Sequence, residues 1–216
     1  MDPKAHWNSV YQTKGERGVS WYQTDAELSL RLIKSVSSSR NATIVDVGGG
    51  ASTLVDGLLN AGYGDVTVLD LSATGIQLAR TRLGAVAQQV TWVEADVLTA
   101  ELAESAFDIW HDRAVFHFLI NQRDRHRYVS QVQRAVKPGG HVIVGTFAED
   151  GPERCSGLSV ARYSAEALHG EFGTDFRLLG SERQVHITPS GVPQVFTYCV
   201  CRYCPAGIAE ALKSAA

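Results

Sequence analysis

Ile44-Val45-Asp46-Val47-Gly48-Gly49-Gly50-Ala51-Ser52 is an apolar strand that runs straight into a turn almost free of side chains. Glycine admits positive φ and lets a ligand approach the main chain, and the free N–H groups of a following helix make a polar cradle. Turns of this kind also serve NAD, FAD and phosphate, so the turn alone leaves the ligand open. The neighbouring strands narrow the choice.

Val66-Thr67-Val68-Leu69-Asp70-Leu71-Ser72 is a β-branched run ending in an acid. An acid about 20 residues beyond a glycine turn is placed to accept both hydroxyls of a ribose. Val90-Thr91-Trp92-Val93-Glu94-Ala95-Asp96-Val97 is a further strand ending in an acid, where a carboxylate can accept an adenine amino group. Phe107-Asp108-Ile109-Trp110-His111-Asp112-Arg113 is the fourth such strand. Four strands thus bring acids to one rim of a parallel sheet, the rim where ligands bind in open α/β folds. A dinucleotide site rarely needs this pattern.

On these residues the chain resembles the class I S-adenosylmethionine-dependent methyltransferases, over roughly residues 40 to 205. The resemblance implies a doubly wound α/β fold with a seven-stranded, mostly parallel, Rossmann-like sheet and an antiparallel last strand. It implies S-adenosylmethionine as cofactor, with Asp46, Gly48, Gly49 and Gly50 under the methionine part and Asp70 and Leu71 at the ribose. Asp96 and Val97 fall at adenine, and Asp112 beside the transferable methyl. Ser52 stands where the family turn usually carries a third glycine; that glycine mainly permits close packing, so a small serine is a mild departure. Val136-Lys137-Pro138-Gly139-Gly140-His141-Val142-Ile143-Val144 matches the family's turn and fifth strand, and Val195-Phe196-Thr197-Tyr198-Cys199-Val200 its last strand.

The remaining pattern fits the same plan. Residues 24–36 are predicted helical, with Thr24 as N-cap and Glu27 completing a capping box. Further helices are predicted near 52–61, 73–83 and 124–136, and Ser164 is expected to open a short one. A sixth strand is expected from Phe176 to His186. The whole chain, 1–216, is read as a single domain, with residues 1–23 ahead of a core at 24–205.

Trp7, Tyr11, Trp21 and Tyr22 precede the sheet, and they include half of the chain's four tryptophans. One account is a short helix that packs Trp7 and Tyr11, four residues apart, on the sheet. The other makes residues 1–23 a lid, with a Trp21 face against the sulfonium by cation–π attraction and Trp7, Tyr11 and Tyr22 near the acceptor. A similar segment occurs in thiol and halide methyltransferases and in some protein-lysine methyltransferases. After Asp112, Arg113-Ala114-Val115-Phe116-His117-Phe118-Leu119 resembles the wall of the methyl-transfer pocket in small-molecule members. There His117 is a candidate base, its ordinary pKa near 6.5 suiting that role, or else a structural histidine. Arg113 either binds an anionic acceptor or pairs with Asp112 or Asp108. In the loop from Phe147 to Leu158, Cys155 is a candidate contact for a soft acceptor or an ordinary buried thiol. Arg123-Asp124-Arg125-His126-Arg127 is read as a solvated helix face.

Composition sets the outer bounds. A chain of 216 residues with 44% hydrophobic content suffices for one full α/β core. A net charge of −3 does not advertise a nucleic-acid partner, and no apolar run approaches the roughly 20 residues of a membrane span. A cytoplasmic protein is therefore expected. Cys199, Cys201 and Cys204 form C-x-C-x-x-C, but a structural zinc needs four ligands and the alternation puts Cys199 and Cys201 on one strand face, so no metal is expected. The expected activity is transfer of the donor methyl to a small-molecule nucleophile, with a thiol or sulfide acceptor preferred. The alternatives are protein-lysine or other N- or O-methylation, and a non-catalytic donor-binding module. The oligomeric state is not legible.

Overall fold

The computed structural model describes residues 2–206. Seven strands form one sheet: β1 (Thr43–Val47), β2 (Asp65–Asp70), β3 (Val90–Glu94), β4 (Phe107–Arg113), β5 (Val136–Phe147), β8 (Phe176–Ile187) and β9 (Pro193–Tyr203). Two short strands, β6 (Arg154–Cys155) and β7 (Leu158–Ser159), make a separate hairpin. The sheet order is β3-β2-β1-β4-β5-β9-β8. Five strands pair in parallel, and β9 runs antiparallel between β5 and β8. The order reverses between β1 and β4, and a crevice at such a point is where α/β sheets take ligands.

Helices cover both faces. On one side α2 (Glu27–Val36) and α3 (Leu54–Asn60) bury Leu32, Ile33, Leu54 and Leu58 against Ile44, Ile109 and Ile143. On the other, α5 (Gln122–Ala135) and α6 (Ala165–Phe172) bury Tyr128, Val132, Leu168 and Phe172 against Val45, Trp110 and Val142. Both faces of β1 are therefore dry, which is why its sequence is a continuous apolar run. α1 (Pro3–Lys14) and α4 (Ala73–Leu83) lie nearer the rim. Ser164 caps α6 as expected, its hydroxyl accepting from Ala167 N.

The expected cap of α2 is corrected. The helix begins at Glu27 with Ala26 at the cap position, and no side chain caps it. Just upstream the chain is committed elsewhere: Gln23 O accepts from Thr53 Oγ1 at 3.2 Å, which draws residues around Thr24 toward α3 and away from helical geometry. Strand β3 also stops at Glu94, level with Asp70, so Asp96 stands in the turn beyond the rim. The expected loop after β5 contains the β6–β7 hairpin, closed by Ser156 and Gly157, both at positive φ. Cys199 and Cys201 share one face of β9 and are packed in the core beside Leu168 and Tyr203. Among the described residues no helix is long and apolar enough to cross a membrane.

Candidate active site

At the reversal point the C-terminal ends of β1, β2 and β4 border a cleft of about 370 Å³. Gly48 forms its floor with φ +67°, and a Cβ there would meet Val115 Cγ2 at 2.0 Å, so only glycine serves. Gly50 is wedged between two side chains: a Cβ on it would fall 2.6 Å from Asp70 Oδ2 and 2.8 Å from Tyr11 Oη. Asp70 is 8% exposed at the tip of β2, and its Oδ1 accepts from Ser72 N at 2.7 Å. Burial pushes its pKa up to about 7, with the nearby Asp46 adding to the rise. Asp96 is exposed at the cleft edge, one oxygen accepting from Leu98 N, and Leu71 and Val97 supply apolar walls.

The N-terminal helix closes the cleft from above. Asp2 caps α1, Pro3 occupies its first turn, and Gly15 ends it. Trp7 and Tyr11 meet Trp21 edge-on, with ring centroids at 5.7 and 6.0 Å, and Trp7 reaches Phe118 across the cleft at 5.0 Å. Asn8 Oδ1 accepts from Ser72 Oγ and from Thr74 N, pinning α1 to the start of α4. This asparagine was not singled out by the sequence, where it is one polar residue on a mixed helix. The segment is a packed helix, and what it packs over is the cleft. Lys14 and Arg17 are exposed in the following turn, so trypsin is expected to cut there in the free protein and less once S-adenosylhomocysteine is added. Equal cleavage with and without it would reduce α1 to ordinary packing.

Trp7, Phe118, Leu119, Cys155 and Leu158 line the end of the cleft beside β4 and the hairpin. Phe118 and Leu119 line the cleft, but His117, just before them in the chain, does not. It sits in a 3-10 turn, fully buried, with Nδ1 accepting from Phe147 N at 3.3 Å and its ring against Phe118 and Phe147. Burial, with the Arg113 charge as a lesser cause, drives its pKa down to about 3, so it stays neutral. Cys155 is buried and its thiol is pushed up to about 11 by desolvation.

Asp112 likewise turns inward. Its Oδ1 accepts from Val115 N, and its Oδ2 from Phe116 N and the Tyr128 hydroxyl. Alternation along β4 explains this: Trp110 and Asp112 point to the α5 side, His111 and Arg113 to the α2 side. Asp46 is 2% exposed and bound to His111 Nδ1 at 2.7 Å, while His111 Nε2 meets Ser29 Oγ at 2.9 Å. Asp46, Gly49 and Tyr22 border a small chamber of about 30 Å³ next to the main cleft. Of the expected residues, the cleft therefore brings together Trp7, Tyr11, Trp21, Gly48, Asp70, Leu71, Asp96, Val97, Arg113 and Cys155.

A family model described as a methyltransferase domain matches residues 44–140, the stretch that holds the glycine turn and the rim acids. The chain is 22% identical over 150 residues to the eEF1A lysine and N-terminal methyltransferase of Mus musculus, covering 67% of this chain and 21% of that one. It is 33% identical over 108 residues to an uncharacterized methyltransferase of Mycobacterium bovis, covering 48% of this chain and 50% of that one. The chain thus spans at most about half the length of these curated relatives. In fold it is similar, with TM-score 0.78 and 19% identity over 98% of both chains, to a structure titled for conversion of a disulfide bond into a thioacetal group during echinomycin biosynthesis. Sheet order and glycine turn agree with that match, so residues 44–140 are similar to a methyltransferase domain of the class I, S-adenosylmethionine-dependent kind. The residues present fit S-adenosylmethionine: Asp70 offers a desolvated carboxylate at the tip of β2, where the resemblance would put the ribose, and Asp46 Oδ2 is buried without a hydrogen-bond partner among the described residues.

Proposed function

We propose that the protein transfers a methyl group to a small-molecule nucleophile that arrives already ionised, a thiolate above all. The observation that carries this is the methyl-side wall, which is largely apolar and aromatic and presents no free base: His117 is turned away and neutral, Cys155 holds its proton, and Asp124 is taken up by Asn121 and Arg127. The cofactor supplies a methyl carbon with its leaving group already attached, so the protein's share is alignment and exclusion of water. Asp70 accepts the ribose hydroxyls, Asp96 the adenine amino group, and Leu71 and Val97 sandwich the base. Gly48 lets the methionine part lie on the backbone. Trp21 and Trp7 close the aromatic side, where a ring face attracts the sulfonium. Trp7, Phe118, Leu119 and Leu158 then form a dry slot in which the acceptor's lone pair is held in line with the carbon.

A lysine acceptor would call for an open acidic channel. The one acid on that wall, Asp124, is already engaged with Asn121 Nδ2 at 2.5 Å and with Arg127. A donor-binding module without chemistry would have no use for a lined slot beyond the donor. The fold neighbour described for a disulfide substrate involves sulfur, but at 19% identity it speaks for fold, and the reading rests on the pocket.

Turnover of S-adenosylmethionine across thiols, amines, hydroxy acids and a lysine peptide tests this. Product is expected with thiols, and the rate should rise with pH through each thiol's own pKa. Turnover only with amines or peptide would overturn the assignment. In the same assay His117→Ala should leave turnover per folded molecule within about threefold, since a general base would cost about 10²–10⁴. Its effect should appear as stability, a loss of about 2–4 kcal/mol by urea unfolding for a buried ring.

A further inference from the structure

The charged run at the start of α5 points three ways. Asp124 lines the cleft, and Arg125 turns to Glu171, its Nε 2.9 Å from Oε1. Arg123, His126 and Arg127 do neither: with Ser130 and Arg134 further along the helix they line an open groove of about 720 Å³. Ala100 O accepts from Gln131 Nε2 and from Arg134 Nη2, both at 3.0 Å, which ties the loop after β3 to α5. Among the described residues no acid lines the groove and Arg123 enters no ion pair. Arg127 comes no nearer than 3.8 Å to Asp124, in an exposed pair that contributes little. Like charges four residues apart on a helix repel, so Arg123 and Arg127 together carry a cost that an anion between them would relieve.

The groove meets the cleft. Leu98 lines both, and consecutive residues of α5 divide between them, Arg123 on the groove and Asp124 on the acceptor side of the cleft. The donor's adenosine carries no negative charge, so an anion in the groove belongs to another ligand. Arg113, the one cation lining the cleft among the described residues, lies on the α2 side instead. Its Nε donates to Tyr198 Oη and its Nη1 to the Trp21 carbonyl, both at 3.0 Å, so it pairs with neither Asp108 nor Asp112. We propose that the acceptor is a thiol with a phosphate at the far end of its arm: the sulfur sits in the slot, the arm leaves past Leu98 and Asp124, and Arg123 and Arg127 hold the phosphate. Side chains four apart on a helix are neighbours about 5–6 Å apart at Cβ, and guanidinium forks match phosphate oxygens. This names the class of acceptor for the thiol transfer proposed above, and it rests on that reading.

Pantetheine and 4′-phosphopantetheine test this, because they share one thiol and differ only in the phosphate. With S-adenosylmethionine and the full chain at low salt, KM for the phosphorylated thiol is expected about 10- to 100-fold below that for pantetheine, the worth of charge-assisted hydrogen bonds, at a kcat within about threefold. Added salt should shrink the difference, since exposed charges are screened. Arg123→Gln should raise KM for 4′-phosphopantetheine about 10-fold and leave pantetheine within about threefold, which also reports that the variant is folded. Arg123→Glu should raise it further, and Arg123→Lys, which keeps the charge without the fork, should retain part of the preference. Inorganic pyrophosphate should compete with 4′-phosphopantetheine and spare pantetheine. Equal KM for the two thiols in the wild type, or a preference that survives Arg123→Glu, would overturn the assignment and leave the thiol reading standing. A wild type that methylates neither thiol nor any other would instead remove that reading, and this proposal with it.

Discussion

Asp112→Ala is expected to cost about 3–5 kcal/mol of folding stability, with little change in donor affinity for the molecules that remain folded. The carboxylate is fully buried and serves three donors: the Val115 amide at 2.9 Å, the Phe116 amide at 3.1 Å and the Tyr128 hydroxyl at 2.6 Å. Tyr128 in turn accepts from Trp110 Nε1 at 2.8 Å, so removing one side chain leaves two amides and a hydroxyl without their acceptor in the driest part of the sheet. These amides also start the turn that carries Phe118 and Leu119 to the cleft. Urea unfolding measures the cost. A loss below about 1 kcal/mol would mean that the network carries little of the fold, and a selective loss of donor affinity would return Asp112 to the cleft.

The second large effect follows from the ribose contact proposed for Asp70. Asp70→Ala should weaken S-adenosylhomocysteine by about 1.5–3 kcal/mol, because two ribose hydroxyls lose a charged acceptor. With its pKa raised to about 7 by burial, Asp70 is only partly ionised near neutrality in the free protein. The ionised form is the one that accepts both hydroxyls. Affinity should therefore rise with pH toward a plateau above 8 and fall about tenfold for each unit below 7. In the empty protein the sign is reversed. The unfolded carboxyl ionises first, near its usual value of about 3.9, so Asp70 favours the folded state less and less as pH climbs from there to 7. Asp70→Asn should flatten both dependences. A donor affinity independent of pH between 6 and 8 would contradict the assignment.

The contrast between Asp70 and Asp112 shows how far the sequence could be followed. Both are acids at the end of a parallel strand, and both read as rim carboxylates. On β2 the acid is the last strand residue and emerges at the cleft, whereas β4 continues through Arg113. Helices cover both faces of the sheet, so polarity does not mark which of His111, Asp112 or Arg113 faces which side. The topology was legible because a bare turn and acids at repeated strand ends are required by chemistry at the rim. The direction of His117 was not. A histidine between two phenylalanines in a three-residue turn has no periodicity to read, and the amide of Phe147, which decides it, lies on another strand. Thr24 carried a correct local signal for a cap, overruled by the bond from Thr53 to Gln23. The N-terminal segment was legible as an aromatic cluster, but its fastening by Asn8 and Arg113 depends on α4 and β4, far away in the chain.

The most direct measurement of the account is calorimetric titration of the full chain at pH 8 with S-adenosylhomocysteine, alongside NAD. The account predicts saturable one-to-one binding of S-adenosylhomocysteine that weakens in Asp70→Ala, and no binding of NAD. Absence of S-adenosylhomocysteine binding, or equal binding of the dinucleotide, would contradict it.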